Sequence, residues 1–453
     1  MPRFIRFGSL PIGGLSFVCI LLFTFCPPLM AQKAEQLLGN AEQQPNESDA
    51  LEAWHSENFE ISVSRTMQRE ALEIQLDRWG KAYDLNEKTI EKINASLEGE
   101  LRKLTPSIPI IMEGPSYLNR GLRSIAFKKL RTELSTDDQA KLDLEIAEQE
   151  KIDQRMDVVS QLAVTSYLDE RLCFTAGQLE QVKAILAENW NYLWNEDVSA
   201  ISTNGVQFGY EPIKLLRQKI VKKENFFSEK QEAVLHSGEC FEPGIQDMAM
   251  RHISGAANWD RKKFKARCDQ LVDLKVEELQ LLFELDQEQQ ELLSTGRTDA
   301  ILNIVDRRKL LIESFKDGGP DDSELLSSGL EPLSSQVTRE VSWREALDKI
   351  LSEDELEIID SREAERLKNA KIVMVESWVG FILPHISSPS QFTYEQHVAL
   401  TELLLEELEL RNSGDLLDSI QGIYKISDEK YKAILNESQW KVLEAVIKAG
   451  PMN

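Results

Sequence analysis

Apolar residues along this chain return every three or four positions far more often than every second one. That is the spacing of a single buried helix face. Ile152, Met156, Val159 and Ala163 form such a stripe inside a helix expected from about Ser135 to Leu172. Behind Thr175, Val182, Ile185, Leu186, Trp190 and Leu193 form the next. Val272, Val276, Leu279 and Phe283 step by four, three and four along a helix expected from about Trp259 to Leu293. Further helices are expected over Arg65–Leu104, broken near Gly80 to Leu85, then at Ser228, and from Ser352 to about Leu383. In a helix from Thr393 to about Arg411 the buried edge is Leu400, Leu403, Leu404 and Leu408. In the last, from Asn436 to Ala449, it is Trp440, Leu443 and Ile447. Pro- and Gly-bearing stretches at Thr105–Pro115, Asn195–Pro212 and Lys316–Val341 read as connections. Aromatic residues make up 7% of the chain and alternating runs are few, which excludes a large sheet. The fold class is all-α, a helical bundle with long amphipathic helices.

One short phrase marks where these helices begin: an apolar residue, then Ser, Thr, Asn or Asp, two others, then Gln or Glu. It occurs as Phe174-Thr175 with Gln178, Phe227-Ser228 with Gln231, Leu351-Ser352 with Glu355, Phe392-Thr393 with Gln396, and Leu435-Asn436 with Gln439. The second residue caps the orphan N–H groups, the fifth reaches back to the cap backbone, and the first packs onto the opening turn. Looser copies start at Leu134-Ser135, with Gln139 one place late, and at Leu85-Asn86, with Thr89 where Gln is expected.

The copies keep their order. Leu134 and Leu351 lie 217 positions apart, Phe174 and Phe392 218, Phe227 and Leu435 208, and Leu85-Asn86-Glu87 precedes Leu285-Asp286-Gln287 by 200. Near-constant offsets favour an internal duplication over coincidence, although Leu417-Asp418 with Gln421 fits the phrase and has no counterpart. The expected organisation is a signal peptide at 1–31, a flexible polar linker at 32–54, a first helical half at 55–245, a linker at 246–258 and a second half at 259–453.

The signal rests on Arg3 and Arg6, the apolar run Leu15–Phe25 and the small Ala31 before Gln32. That run is short for a spanning helix, so no stable transmembrane segment is expected after cleavage, a retained anchor being the alternative. Export to the periplasm or beyond permits disulfides. Of Cys173, Cys240 and Cys268, the first two are the favoured bridge, with unpaired buried thiols the alternative. Asp and Glu outnumber Lys and Arg by 77 to 52, a net charge of −25 that argues against nucleic acid.

Catalytic and metal signatures are missing. His55, His236, His252, His385 and His397 are scattered and are expected at the surface or at caps. There is no H-E-x-x-H, no C-x-x-C, no phosphate loop and no hydrolase elbow. No catalytic residue, metal ligand or cofactor is assigned. Trp190 and Trp194, four apart, either pack in the core or form a platform for a peptide or glycan.

The phrase at Phe174, Thr175 and Gln178, at Phe392, Thr393 and Gln396, and at Leu435, Asn436 and Gln439 resembles the L-T-x-x-Q motif of the bacterial periplasmic Spy/CpxP family. The resemblance implies exported helical envelope proteins, an ATP-independent chaperone among them. The expected function is therefore non-catalytic, binding or chaperone-like, with unfolded polypeptide or other envelope proteins as partners. A structural, coiled-coil-like envelope component is the first alternative, and an enzyme of unrecognised class the second.

Overall fold

The computed structural model describes residues 57–101, 118, 120–191, 194, 211–220, 226–237, 260–316, 333–386, 392–408, 422–423 and 425–448. These are 87% helical and contain no strand, so the protein is all-α. In chain order the helices are α1 (Glu57–Ala82), α2 (Glu87–Leu101), α3 (Arg120–Arg131), α4 (Thr136–Leu172), α5 (Ala176–Asn189), α6 (Glu211–Ile220), α7 (Glu229–Ser237), α8 (Arg261–Leu282), α9 (Gln287–Lys316), α10 (Leu333–Thr338), α11 (Val341–Ile350), α12 (Glu353–Ile386), α13 (Tyr394–Glu407), α14 (Asp428–Lys432) and α15 (Glu437–Lys448).

Two compact units emerge. Described residues of the first fall within Met1–Met156, Trp378–Leu404 and Ile426–Asn453, and those of the second within Asp157–Ser377 and Leu405–Lys425. Each unit therefore draws on both of the halves expected from sequence, and the divisions between units fall inside α4, α12 and α13 as well as at Lys425/Ile426. The expected signal, tether and linker (1–31, 32–54 and 246–258) lie outside the described residues, as do the stretches 105–115 and 195–210.

In the first unit α1, α2 and α3 close on one another around Leu72, Leu76, Trp79, Ile93, Leu97, Leu122, Phe127 and Leu130. α3 forms because Leu122, Ala126, Phe127 and Leu130 fall on one side of twelve residues, and all four are buried. The second unit has two cores. One gathers Val164, Leu168, Leu172, Phe174, Val182, Leu186, Leu274 and Val373. The other joins α8, α9 and α11 through Val272, Leu293, Ile301, Ile304, Trp343, Leu347 and Ile350.

The single helix expected over Trp259–Leu293 is instead two. α8 stops where Phe283 turns extended (φ −134°, ψ 140°), its N–H still bonded to Leu279 O at 2.8 Å, and Asp286 caps α9. Trp190 is the residue that ends α5. Within the expected connection at Lys316–Val341, residues Leu333–Thr338 are helical as α10, while 317–332 lie outside the described residues. α11, which follows at Val341, has no counterpart in the sequence expectation. It is amphipathic, burying Trp343, Ala346, Leu347 and Ile350.

α9 and α11 cross closely at Gly296. A Cβ there would stand 2.5 Å from Ala346 Cβ and 2.8 Å from the Ser342 carbonyl oxygen. Gly296→Ala is expected to lower stability by about 2 kcal/mol, because two packed backbones must separate. Gly99→Ala, where nothing stands within 4 Å, is expected to raise it by about 0.5 kcal/mol through helix propensity. Urea unfolding midpoints of the two variants check the opposite signs.

Candidate functional site

The cap residues act locally as their chemistry dictates. Thr175 is extended (φ −67°, ψ 159°), its Oγ1 accepts from Gln178 N at 3.3 Å, and its own N–H donates to Gln178 Oε1 at 2.9 Å. Ser228 and Gln231 repeat the exchange at 3.0 and 3.2 Å. Thr393 and Gln396 do so at 3.1 and 3.2 Å, and Asn436 and Gln439 at 3.0 Å both ways. Ser352 and Glu355 show 2.8 and 3.4 Å. The loose copies are simpler: Asn86 Oδ1 accepts from Thr89 N, and Ser135 Oγ from Asp138 N.

These starts meet in couples. The Gln178 amide donates to Gln231 Oε1 at 2.8 Å, and Gln231 donates back to Gln178 Oε1 at 3.2 Å. Gln178 Nε2 also donates to Phe226 O at 2.7 Å, and Gln231 Nε2 to Leu172 O at 2.8 Å. Gln396 and Gln439 form the same reciprocal amide contact at 2.9 and 3.2 Å, and Gln396 reaches Ile434 O at 3.0 Å. Phe174 and Phe227 stack beside the first couple with centroids 5.8 Å apart and planes 9° apart. The staple residues thus pack on each other as well as on their own helices.

A third couple shows a residue that sequence reasoning missed. Gln289 exchanges bonds with Asp286 at 2.8 Å both ways, and its amide donates to Ile350 O at 2.6 Å, next to the Ser352 start. The phrase Leu285-Asp286 with Gln289 was complete in the sequence, and only its last residue went unread. In all three couples the first amide bonds the carbonyl two places before the second cap: Phe226 for Ser228, Ile350 for Ser352, Ile434 for Asn436. Leu85 and Leu134 share the core of the first unit without such an amide.

A second feature lies in the second unit, at the C-terminal end of α4. Arg366 donates to Asp169 through Nε at 2.9 Å and Nη2 at 3.2 Å, to Glu278 at 2.9 Å and to Glu363 at 2.8 Å. Lys275 bonds Glu363 at 2.7 Å, and Arg362 bonds Glu278 at 3.0 Å and the Phe174 carbonyl at 2.6 Å. Asp169, Lys275 and Glu278 are all under 9% exposed. Burial pushes the Glu363 carboxyl up, yet Lys275 and Arg366 outweigh it and hold it at about 2. Glu278 is held below the usual carboxylate range against the same burial, by Lys275, Arg366 and Arg362. Arg366 is raised: burial opposes, and Glu278 and Asp169 outweigh it.

Of the expected Cys173–Cys240 bridge only Cys173 is among the described residues. It is a free buried thiol, and burial pushes it up to about 12. Its backbone is left-handed (φ 50°), closing α4 with a bond from its N–H to Asp169 O at 2.9 Å, and its side chain belongs to the core. Cys240 lies outside the described residues. Cys268 is also buried. His397 departs from the surface expectation, being fully buried on α13, because its position falls on the inward face with Leu400 and Leu404. The other four histidines have no described side chain. Trp190 and Trp194 meet edge to face at 5.6 Å, with Trp190 packed against the core.

Among the described residues no group of His, Cys, Asp or Glu is arranged to hold a metal ion. An open groove of about 530 Å³ lies along α11 and α12, lined by Leu356, Ala364 and Arg344 among others, with Arg344 bound to Asp360 at 2.5 and 2.8 Å. No protein-family model, curated protein or solved structure matches the chain.

The couples predict a difference between Gln and Glu. Gln231→Ala is expected to cost about 2 kcal/mol, since it orphans the buried Leu172 carbonyl and one face of Gln178. Gln231→Glu should also destabilise, because a carboxylate cannot donate to Leu172 O or Gln178 Oε1. Glu355→Gln, at an exposed start that natively carries the acid, should stay within about 0.5 kcal/mol of the parent. Chemical denaturation of the three variants tests the ranking.

Proposed function

We propose that this is an exported, non-catalytic helical protein of the bacterial cell envelope that binds polypeptide, in the manner of a holding chaperone. The observation that carries the reading is the coupled helix start. The residues on which the family resemblance rests, Thr175 with Gln178, Thr393 with Gln396 and Asn436 with Gln439, are those whose amides lock helix starts together. Large apolar side chains left in water add support: Leu144 and Val341 at 70% exposure, Val158 at 65% and Leu281 at 64%. Such side chains offer contact area to an unfolded chain at no cost to the cores. Nothing positive among the described residues indicates catalysis, and no described helix is long and apolar enough to cross a membrane.

A structural role in the envelope is the second reading. Its support is helix length: α4 runs for 37 residues and α12 for 34, about three times the usual length.

Mature protein beginning at Gln32, purified without nucleotide, is expected to suppress light scattering by a reduced or heated model client at near-stoichiometric ratios. Unchanged client aggregation would overturn the binding reading. A stable oligomer in size-exclusion with light scattering, together with that failure, would favour the structural one. Intact mass of the secreted chain checks the cleavage after Ala31.

A further inference from the structure

We infer that the buried charge cluster at the end of α4 is an acid-sensitive latch: protonating Glu278 and Glu363 releases α8 and α12 from α4 and uncovers the apolar core beneath them. This inference concerns the second unit alone and does not depend on what the protein binds.

The cluster is made of groups from three helices. α4 supplies Asp169, with the Cys173 thiol beside it; α8 supplies Lys275 and Glu278; α12 supplies Arg362, Glu363 and Arg366. Three carboxylates thus face three cations. Arg366 is the hub, with a bond to each carboxylate. Its guanidinium has no route to neutrality, because Arg stays protonated at any accessible pH. When Glu278 and Glu363 take up protons the cations remain, buried and under-compensated, which is the costly state for an ion cluster.

The latch sits directly on apolar surface. Leu274, next to Lys275, and Val373, seven residues beyond Arg366, belong to the same core as Val164, Leu168, Leu172 and Phe174 of the α4 end. Asp169 also holds the turn that ends α4, accepting from Phe174 N at 3.0 Å, while Arg362 holds the carbonyl of the same residue. Losing the cluster therefore loosens the helix end and its cover together.

The direction follows from linkage. Carboxyls held low in the folded state stabilise it fully above their unfolded value, near 4.5, and that stabilisation is lost as pH falls toward about 2. The working window is thus acidic, from about pH 4.5 downward.

Hydrogen exchange with mass spectrometry on the full mature chain, stepped from pH 6 to pH 2 and corrected for intrinsic rates, reads the latch directly. Peptides from Arg261–Leu282 and from 353–377 are expected to lose protection in that window, with a several-fold rise in binding of an apolar dye. The double variant Lys275→Met with Glu363→Gln removes one charge of each sign, and its midpoint should fall by about half a pH unit or more. Glu363→Gln alone leaves a cation in excess, and should show the loosened α8 and α12 already at neutral pH. Protection that persists to pH 2, or a midpoint identical in parent and double variant, overturns the latch. Should the double variant not fold, the single variant decides: full protection at pH 7 counts against the inference.

Discussion

A primary amide that must satisfy four hydrogen-bonding positions inside a nearly dry site is the constraint on which this architecture depends. Gln231 is 4% exposed and Gln439 fully buried, so neither can leave a bond to water. The Gln231 oxygen takes the Ser228 N–H and the Gln178 amide, while its nitrogen gives to Gln178 and to Leu172 O. Leu172 is the last residue of α4 and Ile350 the last of α11, so the amides that reach them satisfy carbonyls that a helix end would otherwise orphan. One side chain closes the start of its own helix and the stop of another. Chain segments 53 positions apart are thereby fixed in register before any core residue is considered.

The exceptions follow the same physics. Glu355 can accept from Ser352 N and Oγ but has no proton to offer, and its couple relies on Gln289 donating to Ile350 O. That start is exposed, so a carboxylate there keeps its hydration. At the two buried couples a carboxylate would face an amide oxygen and a carbonyl, and Gln stands there on both sides. Asn86 with Thr89 is an exposed start as well, where Asn86 Oδ1 accepts from both Thr89 N and Thr89 Oγ1.

What was legible in the sequence is what lies within four residues. Cap, staple and the reaching fifth residue are local, so Thr175, Ser228, Ser352, Thr393 and Asn436 could be placed from spacing alone. The long stripe of α4 was legible for the same reason. The break between α8 and α9 was overridden because the apolar period of Val272 to Phe283 runs up to it in phase, although Asp286 with Gln289 states a cap plainly. Short helices such as α3 and α11 carry too few turns for periodicity to stand out. Illegible altogether were contacts across the chain. Arg366 meets Asp169 over 197 positions and Glu278 over 88, and no local pattern announces such partners. The grouping into units that draw on both ends of the chain is of that kind too.

The amide couples and the charge cluster divide the work of specifying this fold in unlike ways. Amides are neutral, so their bonds hold at any pH the chain meets. A balanced set of buried ions is different: its Coulomb attraction is largely cancelled by desolvation, and an apolar replacement of like volume would serve stability as well or better. What ions add is discrimination. Lys275, Arg362 and Arg366 tolerate only arrangements that bring carboxylates to them, so a slipped register of α8 or α12 against α4 carries a buried unpaired charge. The same property makes the arrangement conditional on ionised carboxylates. A helix end built on Asp169, whose oxygens serve both Phe174 N and Arg366, therefore depends on the same guanidinium that Glu278 and Glu363 balance.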